Sequence, residues 1–291
     1  MTYRQGSPAS RRGVSLAAAL LLLLSVLAPQ LAAAQAPALR VMTFNIRLPH
    51  PGDGANVWEK RRALTAAMIA EADPDLFGTQ ELFKEQADYL VSKLPRYGWI
   101  GTGRRGGHSD EHMGLFYRLD RLKLVDMGNF WLSETPDVPG SISWGHPFPR
   151  MVTWALFESR RDGRRFYAFN THFPYRKEDD AARMKCAEML RARIRQIAGD
   201  APVVLTGDFN TTPDTPVHAL LTADLADAWQ AAPRRSGPAE TFHGFTGKAD
   251  RRIDWILLDG FRALEARTIT RHRGVLQTSD HFPVVAELAW P

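Results

Sequence analysis

From Leu39 onward the chain alternates short runs of β-branched and aromatic residues with longer stretches in which apolar positions fall three and four apart. Leu39 to Ile46 reads as a strand with the polar Asn45 near its end. Trp58 to Glu71 reads as a helix, with Leu64, Ala67, Met68 and Glu71 at helical spacing, and Asp73-Pro74-Asp75 breaks it. Leu76-Phe77-Gly78 then leads to Gln80-Glu81 at another strand end, and a second helix covers Glu85 to Lys93. Strands are expected near Trp99 and over His112–Tyr117, Leu122–Trp131, Val152–Glu158 and Arg165–His172. Glu178 to Ala198 is the clearest helix, with Ala187, Leu190, Ile194 and Ile197 spaced for one buried face. Further strands are expected at Val203–Leu205, Ile253–Leu258, Arg262–Thr270 and Pro283–Leu288.

Strands outnumber helices and often follow one another directly. That order suits an α/β architecture of two packed sheets with helices outside better than a strictly alternating parallel fold. The 291 residues allow one large domain, and no linker or charge block divides them. An apolar content of 44% supports a sizeable core.

The first residues read as a targeting segment. Arg4, Arg11 and Arg12 form a basic stretch, Leu16 to Ala28 is an apolar run too short for a comfortable membrane span, and Ala32-Ala33-Ala34 supplies small residues at cleavage spacing. The expectation is a signal peptide over residues 1–34 and a mature chain from Gln35 to Pro291, exported to the periplasm or medium. No stable membrane anchor would remain after cleavage, and an uncleaved anchor is the alternative. Losing three arginines and no acid takes the formal charge from +5 to +2, so the high overall basicity says little about the mature protein. Near-neutrality weighs against a nucleic-acid binder without excluding a local patch. Cys186 is the only cysteine, which excludes an intramolecular disulfide and suggests a packed residue in the third helix.

Candidate chemistry sits where the expected strands begin or end. Val203-Val204-Leu205-Thr206 stops at Gly207-Asp208-Phe209-Asn210, Asn170-Thr171-His172 closes a strand, and Asp254 lies in Arg252-Ile253-Asp254-Trp255-Ile256. Ser279-Asp280-His281 opens the last strand. Taken singly, each has an ordinary structural explanation, since Gly-Asp and Asn are turn formers and an isolated His is usually packed. Taken together they make a consistent set. Glu81 with Asn45 or Asp280 offers oxygen ligands of the kind that Mg²⁺ or Mn²⁺ prefers. Asp208 can orient or deprotonate a water that Asn210 helps to hold. His281 paired with Asp254 would be fixed in orientation and held protonated, while His172 and Asn170 could donate to charge developing on phosphorus. The sum is metal-assisted attack of water on a phosphate ester.

These segments resemble the endonuclease/exonuclease/phosphatase superfamily of metal-dependent phosphoesterases. The matching pieces are Thr43-Phe44-Asn45-Ile46, Gln80-Glu81, Asn170-Thr171-His172, Gly207-Asp208-Phe209-Asn210, Arg252-Ile253-Asp254 and Ser279-Asp280-His281, in family order over roughly residues 40–290. The resemblance implies a four-layer α/β/β/α sandwich of two mixed β-sheets flanked by helices, with the site at one end of the sheets. It implies Glu81 as main metal ligand with Asn45 and Asp280 nearby, Asp208 and Asn210 on the water, and Asp254–His281 with His172 on the scissile phosphate. Arg150 resembles an arginine that precedes a central strand and faces the site. One departure is that Phe173-Pro174 follows the Asn-Thr-His segment, where many members have an apolar residue and then Asp.

Export leaves an extracellular nuclease, a sphingomyelinase-like lipase, or a periplasmic phosphatase or phosphodiesterase of small substrates. The sequence shows no dense Lys/Arg track and no long aromatic hairpin, so a small or compact phosphate ester is the first choice, an extracellular or periplasmic nuclease the second and a catalytically silent binding module the third. Two loops are expected to decide. Gly101 to Gly114 carries Arg104, Arg105, His108, Glu111 and His112 and is either a substrate-facing basic segment or a solvated hairpin. Ser133 to Pro149 carries Trp144, His146 and Phe148 and is either a pocket wall or a packed surface loop. A monomer is expected.

Overall fold

The structure, a computed structural model, describes residues 39–290, so the expected signal peptide lies outside the described residues. In chain order the first strands are β1 (Leu39–Asn45), β2 (Leu76–Gln80), β3 (Tyr97–Ile100), β4 (Leu115–Arg118) and β5 (Leu122–Trp131). They are followed by β6 (Met151–Ser159), β7 (Arg165–His172), β8 (Val203–Asp208), β9 (Ala226–Asp227) and β10 (Arg234–Ser236). The chain ends with β11 (Asp254–Asp259), β12 (Arg262–Thr268), β13 (His272–Arg273), β14 (Leu276–Gln277) and β15 (Val284–Ala289). A 7-stranded sheet runs in the order β10-β12-β15-β1-β2-β4-β3, and a 6-stranded sheet in the order β5-β6-β7-β8-β11-β9. Both are mixed: β1–β2 and β7–β8 are parallel, while β1–β15 and β8–β11 are antiparallel.

Side-chain alternation explains why two sheets stack with helices outside. On β1, Val41 points into the core shared by the sheets, and Met42 and Phe44 point the other way, towards helices α1 (Trp58–Ala72) and α2 (Lys84–Lys93). On β8, Val204 enters the shared core, while Val203 and Leu205 meet α3 (Asp180–Ala198) and α4 (Pro216–Thr222). On β11, Ile256 and Leu258 face one way, and Trp255 and Leu257 the other. Strands apolar on both faces need cover on both faces, and the outcome is the expected α/β/β/α sandwich.

The helices follow their periodicity. Ala182, Cys186, Leu190, Ile194 and Ala198 recur every fourth residue along the buried face of α3, which ends at Gly199 with a left-handed φ of 56°. Cys186 is fully buried there, and burial raises its thiol pKa, consistent with a packing role. The helix begins two residues later than Glu178 because Lys177–Asp179 forms a 3₁₀ turn that Arg176 caps. α1 stops where Asp73 turns left-handed at φ 45° before Pro74.

Boundaries moved where tertiary contacts compete with local pattern. β8 runs on to Asp208 because its whole length pairs with β7 and β11. β4 starts at Leu115 rather than His112, since His112 instead bridges Leu82 and Gly103. The two-residue strands β9, β13 and β14, together with β10, α4 and α5 (Ala228–Ala231), carry too few periodic positions to announce themselves. Among the described residues no helix is long and apolar enough to cross a membrane.

Candidate active site

The strand ends expected to carry chemistry meet at one end of the sandwich. Asn45 and Gln80 are register partners at the ends of β1 and β2, and His172 and Asp208 are partners at the ends of β7 and β8. β11 runs the other way, so its first residue, Asp254, is Asp208's partner on the opposite side. β15 also runs backwards against β1, which brings Asp280 and His281, just before it, to the same end. Asn45 Nδ2 donates to Asp208 Oδ2 at 2.9 Å and to Glu81 Oε1 at 3.2 Å, tying the two sheets together.

Behind this end lies a buried polar belt. Gln80 Nε2 donates to Asn170 Oδ1 at 2.7 Å, and Thr206 Oγ1 donates to the same oxygen at 3.0 Å. Asn170 Nδ2 donates to Thr79 O at 2.7 Å and to Gly114 O at 3.0 Å. The amide of Asn170, fully buried, therefore has both donor hydrogens engaged by protein carbonyls. The expectation that Asn170 donates to substrate phosphate is corrected on that ground: it clamps β7 to β2 and to the loop before β4. Gly78 is what admits this belt, since a Cβ there would lie 2.1 Å from Thr206 Oγ1 and 2.5 Å from Asn170 Oδ1.

Two histidines flank Asp208, and their pKa values are displaced in opposite directions. His281 Nδ1 lies 2.9 Å from Asp254 Oδ2. Burial by itself would lower the His281 pKa, but the charge and hydrogen bond of Asp254, with Asp208 and Asp280 adding, raise it to about 10. His172 is equally buried, has no carboxylate holding its Nδ1, and faces the positive charges of Arg150 and His281, so burial and repulsion drive its pKa well below the usual value. Its Nε2 sits 3.5 Å from Asp208 Oδ2 as a neutral imidazole, not as an ion pair. Asp208 itself is raised to about 7 by burial and by the charge of Asp254, against the pull of His281 and the Asn45 bond. The cluster thus pairs a carboxylate able to accept a proton near neutrality with an imidazole held protonated there, the division that acid–base chemistry near neutrality needs. Asp254, which supports both neighbours, is 1% exposed.

Glu81 and Asp280 line the same cavity. Glu81 follows β2 in the left-handed region at φ 58°, an uncommon place for a non-glycine residue, and receives Leu48 N at 3.2 Å. Arg47 and Asn210 are also left-handed, at φ 60° and 51°, so backbone strain gathers around this end of the sheets. Arg47 binds Asp53 through two nitrogens and stands 3.7 Å from Glu81 and 3.9 Å from Asp280. Glu81 and Asp280 bring carboxylate oxygens of the kind a hard divalent ion prefers, here facing Arg47. Asn45, expected as a ligand, presents its Nδ2 to the carboxylates of Glu81 and Asp208, and its Oδ1 accepts from Arg47 N at 3.0 Å. Asp208, Asp254 and His281 also hold ligand atoms within 4.8 Å of one another, a second group able to hold a metal. Asn210 lines the cavity, its N bonded to Asp208 Oδ1 at 2.9 Å and its Nδ2 to Phe173 O at 3.1 Å.

The cavity has a volume of about 480 Å³, and both loops left open by the sequence contribute to it. The 101–114 loop is not a solvated hairpin: Arg104, Glu111 and His112 are buried, and Arg104 and Glu111 face the cavity. Its Arg105 is instead paired outside with Asp110. In the 133–149 loop, Phe148 lines the cavity, His146 is buried on Phe148 O, and Trp144 packs against the α3 side of the sandwich. Arg150 is 3% exposed, has a buried Nη1 with no partner, and faces the cavity beside Asp208 and Glu111. The sequence reading missed Arg47, Tyr175, Phe242 and Arg251 on the lining. Arg47 was legible as the polar residue after a strand-end Asn; the other three reach the site only through loop geometry.

Residues 42–281 match the sequence profile of the Endonuclease/Exonuclease/phosphatase family. The chain belongs to that family. Its structure is similar to that of an endonuclease/exonuclease/phosphatase from Bacteroides vulgatus, with 33% identity and a TM-score of 0.82 over 87% of this chain and 99% of that one. It is also similar to a mannosyl-6-phosphatase of Bacteroides thetaiotaomicron, with 32% identity and a TM-score of 0.81 over 87% of this chain and all (100%) of that one. Among curated proteins, an uncharacterized protein of Acanthamoeba polyphaga mimivirus is 30% identical over 164 residues, 53% of this chain and 59% of the relative. The chain spans less than two thirds of that relative's length. The family places phosphoester chemistry on this fold.

Proposed function

We propose that the protein is an exported, divalent-metal-dependent hydrolase of a compact phosphate ester, acting by in-line attack of water. The observation that carries this is the cluster around Asp208. A carboxylate with a pKa of about 7 lies within 4 Å of a neutral and a protonated imidazole, His172 at 3.5 Å and His281 at 3.8 Å. Asp208 accepts the proton of the attacking water, and Asn210, held by Asp208 and Phe173, fixes that water's position. His281, charged by Asp254, and Arg150, with its free buried Nη1, neutralise the phosphoryl oxygens as negative charge grows. His172 donates from Nε2 in the same cavity. Glu81 and Asp280 would hold Mg²⁺ or Mn²⁺, which when bound supplies Lewis-acid polarisation of the ester.

Several features favour a compact substrate over a polynucleotide. The cavity of about 480 Å³ has loop walls, and carboxylates interrupt its arginines, so there is no continuous basic track. The similar mannosyl-6-phosphatase supports a phosphatase over a nuclease. The N-terminal basic and apolar pattern supports export, with the mature domain from Gln35 acting as a monomer.

The test is turnover by purified residues 35–291 with Mg²⁺ or Mn²⁺ on p-nitrophenyl phosphate, bis-p-nitrophenyl phosphate, sugar and inositol phosphates, sphingomyelin and plasmid DNA. Chelator-sensitive hydrolysis of a small ester, lost in His281→Ala, is the expected outcome. Cleavage of DNA alone would move the protein to the nuclease class, and silence on all substrates by folded protein would favour a binding module.

A further inference from the structure

Two arginines are among the largest fully buried side chains, one at each end of the sandwich, and they are held in opposite ways. Arg118, at the end of β4 away from the site, meets carboxylates. Asp120 accepts from its Nε at 2.8 Å and from its Nη2 at 2.6 Å, and Asp73 accepts from its Nη1. That is the usual arrangement for a charge taken out of water. Arg61, on α1, directs its donors to backbone carbonyls instead. Nε donates to Asn56 O at 2.9 Å, Nη1 to Ile46 O at 2.7 Å and to Thr278 O at 3.0 Å, and Nη2 to Arg47 O at 2.6 Å. Trp58, on the same helix, covers the guanidinium, with its ring centroid 5.0 Å from Cζ.

Those carbonyls belong to three segments that reach the site separately. Ile46 and Arg47 follow Asn45 at the end of β1. Asn56 ends the 3₁₀ segment Pro51–Asn56, which carries Asp53, the partner of Arg47. Thr278 stands two residues before Asp280 and three before His281. Further bonds reinforce the same joint: Thr65 Oγ1 donates to Thr278 O at 2.8 Å, Ser279 Oγ to Asn45 O at 2.7 Å, and Gln277 N to Asn56 Oδ1 at 2.8 Å. Gln86 Nε2 gives Arg47 O a second donor at 2.8 Å. With Arg61 it holds Arg47 in the left-handed turn that sets its side chain 3.7 Å from Glu81 and 3.9 Å from Asp280. The acids whose charge acts on Arg61 are Asp280, Asp53 and Glu81, two of which line the cavity.

We infer that Arg61 is a positioning residue for the reaction: its guanidinium staples the turn after β1 to the turn before β15, and so fixes how far Asp280 and His281 stand from Asn45, Glu81 and Asp208. The inference rests on the phosphoester hydrolase reading above. A guanidinium suits the task because it is flat and rigid, with donors spread over several directions at fixed angles. A lysine ammonium carries the same charge on one atom, so it cannot reach carbonyls on three segments in that geometry. Without those bonds the two turns can slip, and a misplacement of about 1 Å between groups that act together costs about 10²-fold in rate. Fully buried behind the cavity, Arg61 acts only through the turns it holds.

The experiment compares Arg61→Lys with Arg118→Lys, two charge-conserving changes at buried arginines. Three quantities are read per folded molecule: kcat and KM on p-nitrophenyl phosphate, Mn²⁺ affinity by calorimetric titration, and the melting midpoint. Both variants should melt lower than the wild type. Arg61→Lys should also lose about 10²-fold in kcat, more than it changes KM, and about tenfold in Mn²⁺ affinity. Arg118→Lys should keep the wild-type kcat and Mn²⁺ affinity, since it lies at the other end of the sheets. Thr65→Val removes one of the two side-chain donors to Thr278 O and reads the same joint if Arg61→Lys does not fold. It should lower kcat and Mn²⁺ affinity with little change in melting. An Arg61→Lys protein, or in its place a Thr65→Val protein, that keeps the wild-type kcat and metal affinity would overturn the inference, whatever its melting midpoint, and leave phosphoester hydrolysis standing. Silence of the wild type on every phosphoester would overturn both.

Discussion

Asp208 and His281 face each other across 3.8 Å, yet their pKa values are displaced upward for different reasons. Burial and Asp254 raise Asp208 to about 7, while Asp254, bonded to His281 at 2.9 Å, outweighs burial and raises the imidazole to about 10. One carboxylate, Asp254, thus keeps its neighbour acid reluctant to ionise and its neighbour base reluctant to discharge.

This pairing predicts a bell-shaped pH profile. Activity should rise as Asp208 ionises near pH 7 and fall as His281 discharges near pH 10. Asp254→Asn should pull the alkaline limb downward by more than a pH unit and cost about 10²–10⁴ in kcat, read from a kcat profile between pH 5 and 11.

The same shifts set the pH dependence of stability in the metal-free protein. Asp208, raised from 3.8 to about 7, favours folding fully below pH 3.8 and loses that contribution as pH rises through 7. His281, raised from 6.5 to about 10, favours folding below pH 6.5 and loses that contribution as pH rises through 10. Asp208→Asn should therefore melt several degrees higher than the wild type at pH 8, at roughly 2–4 °C per kcal/mol for a chain of this size, while losing turnover. A lower melting temperature at pH 8 in chelator would contradict the assignment.

Metal binding is checked without turnover. Saturating Mg²⁺ or Mn²⁺ should raise the wild-type melting midpoint, by an amount equivalent to about 2.7 kcal/mol at a hundredfold excess over Kd. In Glu81→Gln that increment should shrink or vanish, because Glu81 and Asp280 are the cavity-lining carboxylates proposed to hold the ion. An undiminished metal shift would remove Glu81 from the ligand set.

The polar belt behind the site predicts a stability effect that precedes any catalytic one. Gly78→Ala places a methyl 2.1 Å from Thr206 Oγ1 and should cost about 2–4 kcal/mol in urea unfolding, from overpacking and a broken buried network. Asn170→Ala removes the bonds to the carbonyls of Thr79 and Gly114 and the 2.7 Å acceptor of Gln80 Nε2, and should cost about 1–3 kcal/mol. If Asn170→Ala kept wild-type stability while raising KM, the residue would be a substrate contact after all.

Much of this protein was legible in one dimension. Apolar pattern determined the strands and helices, because a residue buried on one face of β1 or α3 must recur with the period of its element. Strand ends marked Asn45, Glu81, His172, Asp208, Asp254 and His281, since side chains at the end of a buried strand are the ones that can face both core and solvent. What only the tertiary structure decided depends on which loops fold over that end. Asn170 changes from ligand contact to clamp because β2 and the loop before β4 use both its donors. Arg104 and Glu111 become a buried wall because Asp110, Phe148 and Trp131, distant or unremarkable in sequence, hold them there. The charge states of His172 and His281 differ although both are buried histidines at strand ends, because one faces Arg150 and the other Asp254. Local pattern determines which residues share a face; packing and long-range charge decide what each of them faces.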